Sequence, residues 1–98
     1  MYRKLSESRP DVFLSDLARS LSNMGTNQNG LGQHEAAAAS TQEALDAIWP
    51  LFLRVPAVFE RTTGMILSNL RVDLDALGRS PSADLQARIK AFEAKGGA

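Results

Sequence analysis

From Pro10 onward the apolar residues recur at helical spacing. Phe13, Leu14, Leu17, Leu21 and Met24 fall three, four and seven apart, with Leu31 seven residues further on. Phe59, Thr63, Ile66, Leu67, Leu70, Leu74 and Leu77 make a second stripe of the same kind. Between them, Ala37, Ala44, Leu45, Ile48 and Leu51 line one side of a third segment, and Ala83, Leu85, Ile89 and Phe92 one side of a fourth. No alternating run is long enough for a strand. The pattern therefore predicts an all-α chain of four main helices.

The punctuation agrees. Pro10, Pro56 and Pro81 each suit a first helical position, where the missing N–H costs nothing. Ser8 or Arg9 would precede the first helix, and Ser80 would cap the fourth. Gly32 and Gly78 stand where a helix should stop, because glycine enters the left-handed cap conformation cheaply. Gly96 and Gly97 end the last helix. Four consecutive alanines from Ala36 favour helix and permit close approach of a neighbour. Pro50 lies inside the second helix or ends it, and a kink is expected near Asp46 to Trp49.

One phrase occurs twice. "LSESRPDVF" begins at Leu5 and "LFLRVPAVF" at Leu51, an offset of 46. Sliding the chain by 46 gives ten identities in fifty-two aligned pairs, against roughly three expected from ordinary composition. They include Pro10 with Pro56, Phe13 with Phe59 and Gly32 with Gly78. A period between 20 and 50 residues is the signature of a repeat array. The reading is one domain over residues 1–98. Residues 1–9 are a stub or the tail of a preceding repeat, 10–55 the first repeat, and 56–95 a second repeat or capping helices. The chain reads as a piece of a longer array, in preference to an array ended by a truncated cap.

Composition narrows the function. Eleven basic and eleven acidic residues balance, and no basic run stands ready to replace counterions on phosphates, so nucleic acid is a poor partner. Cysteine is absent, which removes disulfides and thiolate metal sites and fits a cytoplasmic protein. The most apolar stretch, Ala47 to Phe59, is too short and broken to span a bilayer. His34 is the one histidine and has no companion ligand, so it reads as a turn residue. Asp73 and Asp75 diverge by about 200° on a helix, so they read as solvated faces and not as a catalytic pair. No serine has a His–acid partner pattern, and no glycine cluster follows a strand. No catalytic, cofactor or metal residues are expected, and the chain is expected not to be an enzyme.

The run "LSNMGTNQNGLGQHEAAAASTQEAL" resembles a tetratricopeptide repeat (TPR). Met24 and Gly25 match the family's first pair, Gly32 its turn, and Ala37 and Ala44 its small positions; Pro50 lies one place from the terminal proline. Gln28 and His34 stand where aromatics are usual. In the second copy Leu70, Gly78 and Ala83 match, while Arg71 replaces the first glycine and Leu74 the aromatic. "YRKLSESRPDVFLSDLARSLSNM" is similar to the long-period, kinesin light-chain type of array found in large bacterial proteins.

The resemblance implies a right-handed stack of antiparallel helix pairs that binds a protein or peptide. It places Arg19, Ser22, Thr26, Asn29, Met65, Ser68, Val72 and Asp75 on the concave face. The Lys/Asn/Arg set that related repeats use on a peptide carboxylate is absent. The helix from Pro81 to Lys95 is either a true second helix or a diverged cap. Phe52, Leu53 and Val55 replace polar Ser6, Glu7 and Arg9 of the first copy. With Trp49 they either pack on the last helix or form an apolar patch that meets another chain or a missing repeat. The alternative function is self-association, through the apolar Trp49–Phe59 segment or through open solenoid ends.

Overall fold

The computed structural model describes residues 10–97. Four α-helices follow one another: α1 Pro10–Gly30, α2 His34–Arg54, α3 Pro56–Ala76 and α4 Ala83–Phe92, the last continued by a π-helical turn, Glu93–Gly97. Among the described residues there is no strand. Each helix packs on its chain neighbour, and α1 also touches α3. The molecule is a slab of 42 × 31 × 18 Å, about two helix diameters thick. No described helix is long and apolar enough to cross a membrane. The expected stub, residues 1–9, and the residues before Pro10 lie outside the described residues.

The 46-residue offset holds for the helices that open each pair. Helices α1 and α3 have 21 residues each, and both ends are displaced by 46. The turns after them are built alike. Gly32 takes φ 79° and Gly78 φ 68°. The Gln33 N–H donates to the Gln28 carbonyl at 2.8 Å and the Arg79 N–H to the Leu74 carbonyl at 2.9 Å. The glycine N–H groups donate to Asn29 and Asp75, each at 3.1 Å. This is the Schellman arrangement, which satisfies the last carbonyls of a helix through a residue in the left-handed region.

The offset lapses in the second helix of each pair. Helix α2 has 21 residues and α4 has ten. Ser82, not Ser80, caps α4: its hydroxyl accepts the Leu85 N–H at 3.1 Å, and Asp84 complements the first turn. Pro81 stays outside the helix, and its carbonyl accepts from Gln86 Nε2 at 3.1 Å. With the start moved two residues on, Ala83 is exposed while Leu85 is buried. Pro50 lies inside α2, and the helix continues four residues past it to Arg54.

The core joins Ala44, Leu45, Ile48 and Leu51 of α2 to Ile66, Leu67 and Leu70 of α3 and Leu85 of α4. The expected faces of α2 and α3 are the buried ones, whereas that of α1 is split: Leu14 and Leu21 are half-buried against the core and the rest of the stripe is not. Helix α1 buries Ala18, Ser22 and Gly25, while Phe13, Leu17 and Met24 are 38%, 38% and 48% exposed and Leu31 74%. The physical reason is closeness. A Cβ on Gly25 would run into Thr41 Oγ1 and stand 3.2 Å from the Ala37 carbonyl oxygen. Small residues let the two backbones approach, so α1 turns its small side to α2 and Phe13, Leu17 and Met24 outward.

Candidate functional site

Helix α3 carries the surface on which the predicted residues gather. Ser68, Val72 and Asp75 line an open groove of about 410 Å³ between α3 and α4. Leu67, Ile89 and Phe92 form its apolar floor, and Arg71, Asp75 and Glu93 stand at its charged rim. Gly64 shapes one end, because a Cβ there would lie 3.0 Å from Phe92 Cζ. On the α1 side, Val72 also borders a cleft of about 60 Å³ with Thr26, Asn29, Asn69 and Asp73. Thr26, Asn29, Val72, Ser68 and Asp75 thus lie along a single surface that runs from α1 across α3 to α4.

The remaining expected positions differ. Ser22 is 1% exposed, so it cannot meet a ligand. It sits where α1 faces α3, and its hydroxyl accepts from Asn69 Nδ2 at 3.2 Å. Arg19 is exposed and 3.7 Å from Asp16. Met65 is exposed on α3 and lines neither groove nor cleft.

Trp49 and Phe52 belong to the chain's own packing. Phe52 is fully buried, its ring 5.4 Å from Trp49 and 5.3 Å from Phe92, both tilted. Arg88 lies 5.6 Å from the Trp49 ring centroid and donates to Asp46 Oδ1 at 2.8 Å. Packing against the last helix is therefore the outcome for these two residues, and Phe52 offers a second copy nothing to touch. Leu53 and Val55 are exposed.

The expectation that Asp73 lies on a solvated face is overturned. It is 3% exposed, and its Oδ2 is 2.9 Å from Thr41 Oγ1. The Thr41 hydroxyl is also 2.8 Å from the Ala37 carbonyl oxygen. A hydroxyl has one proton to donate, so both contacts become full hydrogen bonds only when the Asp73 carboxyl is protonated and donates in its turn. Burial pushes the Asp73 carboxyl above the usual carboxylate range, while the Thr41 bond and the His34 charge act the other way.

His34 begins α2, and its Nδ1 is paired with Asn29 Oδ1 across the turn. Gln28 Oε1 accepts from Ser40 Oγ at 2.8 Å. Among the described residues no three His, Asp or Glu side chains come together. A second groove, of about 420 Å³, has Ala38, Leu70, Leu74 and Leu85 among its lining residues. The Arg79–Glu35 ion pair spans that groove. This contact holds the Glu35 carboxyl below its usual range and raises Arg79.

The groove residues Arg71, Ile89, Phe92 and Glu93 were not singled out as binding residues by the sequence. One signal was available. A glycine inside a helix costs about 1 kcal/mol against alanine unless packing requires it, and Gly64 makes room for Phe92 in this way. No family model, no curated protein and no solved structure matches this chain.

Proposed function

We propose that the chain is a non-catalytic protein–protein interaction module. In this reading it is a TPR-like, right-handed stack of two helix pairs from a larger bacterial scaffold or regulatory protein, acting in the cytoplasm. The α3–α4 groove receives a protein or peptide segment. The observation that supports this is the conjunction of an apolar floor at Leu67, Ile89 and Phe92 with a rim of mixed charge at Arg71, Asp75 and Glu93. A floor of that kind accepts one or two apolar anchors, and the rim orders the flanking charges of the ligand.

The test is selection from a displayed random-peptide library against the full chain, followed by calorimetry on the enriched peptides. Val72→Glu and Ser68→Trp alter exposed groove positions and leave the core intact. Each should weaken the selected peptides at least tenfold. Enriched peptides that bind both variants as well as the original, or a library that yields none, would reject the reading.

A further inference from the structure

Among the described residues Asp73 is the only ionisable side chain that is buried. It lies where three helices meet. Thr41 of α2 contacts its Oδ2, and on the α1 side it lines the small cleft with Thr26, Asn29, Asn69 and Val72. No described Lys, Arg or His forms an ion pair with it. His34 acts on it only through space, since its Nδ1 is paired with Asn29 Oδ1. A buried carboxylate without a countercharge is costly, so a cleft that opens onto one favours a cation.

The hydrogen bonds around the cleft say which cation. Thr26 Oγ1 commits its one proton to the Ser22 carbonyl at 3.1 Å, and only its lone pairs remain. Asn69 Nδ2 donates to Ser22 Oγ, and no described donor reaches Asn69 Oδ1. Asn29 differs: its Oδ1 is engaged by His34 and its Nδ2 donors are unused. Thr26 and Val72 are exposed, so the cleft is open to solvent with the carboxylate at its base. Its volume, about 60 Å³, is about twice a water's share of the liquid, which suits an ammonium head with its last methylene. An ammonium has three donors and no acceptor, matching a carboxylate, an amide oxygen and a hydroxyl oxygen. A divalent metal is the poorer fit, because among the described residues no three His, Asp or Glu side chains come together.

We infer that the cleft between α1 and α3 binds a primary ammonium group, with Asp73 as its counter-ion and Asn69 Oδ1 and Thr26 Oγ1 as acceptors. A lysine side chain of a partner and a small free amine offer the same head. The site stands whether or not the α3–α4 groove binds a peptide, although Val72 borders both.

The probe is n-butylammonium chloride, titrated into the isotope-labelled full chain and followed by its NMR amide and carboxamide signals. Tetramethylammonium chloride, which has no N–H, and sodium chloride serve as controls at equal ionic strength. Saturable shifts of the Asn29 and Asn69 side-chain signals and the Asp73 amide are expected with butylammonium only. Asp73→Asn keeps the shape of the side chain and should weaken binding at least tenfold. Glu43→Gln removes the same charge at an exposed position and should leave binding unchanged. A blocked Gly-Lys-Gly peptide separates the two sources. Binding at least as tight as that of butylammonium assigns the site to a partner's lysine, and weaker binding assigns it to a free amine. Circular dichroism confirms that both variants keep their helices. No saturable shift with butylammonium, equal shifts with either control salt, or binding that survives Asp73→Asn would each overturn the inference.

Discussion

The two helix pairs solve the same packing problem with residues of different size. In the first pair, Gly25 meets Thr41 and Ala37, and Ala18 and Ala44 are buried as well. The helices touch through small groups, and Phe13, Leu17 and Met24 of α1 are left outside. In the second pair, Phe92 and Ile89 of a ten-residue α4 rest on the Gly64 side of α3. Large side chains hold the two helices apart, and the groove is the space that remains. Small residues therefore produce a closed pair with an exposed apolar back, and large ones produce an open pair with a lined groove.

The comparison can be broken most severely at the residue that joins the pairs. Phe52→Ala removes a fully buried ring between Trp49 and Phe92. It should cost about 3–5 kcal/mol in urea denaturation and loosen α4 first, visible as faster amide exchange there than in α1. Next comes Gly25→Ala. Its new methyl meets a buried hydroxyl and a backbone carbonyl, neither of which can withdraw, so a loss of about 1–3 kcal/mol is expected. Gly64→Ala is the sharpening control. Its obstacle is the end of a half-buried Phe92 ring, and the gain in helix propensity of about 1 kcal/mol offsets the displacement. Denaturation midpoints should show a much smaller change than for Gly25→Ala.

Acidity probes the contact between the pairs. A carboxyl whose folded-state pKa is raised favours the fold most below its unfolded value. That contribution is lost as pH rises through the folded value. For Asp73 the loss begins near its ordinary value of 3.8 and continues upward. Asp73→Asn keeps a side chain able to donate to Thr41 and removes the buried charge. The variant should melt higher than the original at pH 7, and the gap should close as pH approaches 4. An equal gap at both pH values would show that burial of the charge is not the cause. The smallest effect belongs to Arg79→Ala, which deletes an exposed ion pair with Glu35. Its melting temperature should be unchanged in physiological salt, where surface pairs contribute little.

Much of this arrangement was legible. Gly32 and Gly78, 46 apart, marked both turns, and the paired prolines marked the starts of α1 and α3. Ala37, Ala44, Leu45, Ile48 and Leu51 foretold the inner face of α2. Asp73 could have been noticed, because it continues the spacing Thr63, Ile66 and Leu70 on the buried side of α3. Polarity argued the other way, and Thr41, 32 residues distant, supplies the contact that makes its burial tolerable.

The sequence by itself determined where the helices lie, where the turns fall and that a 46-residue unit is stated twice, because caps, prolines and periodicity act within a few residues. Only the tertiary structure decided which side of α1 is buried. Hydrophobicity alone favours hiding Phe13 and Leu17. The distance at which two helices can touch favours hiding Ala18, Ser22 and Gly25, and that distance depends on the alanines and Thr41 of the facing helix. The groove likewise depends on how far the Phe92 ring holds α4 from Gly64, a separation that no single segment encodes.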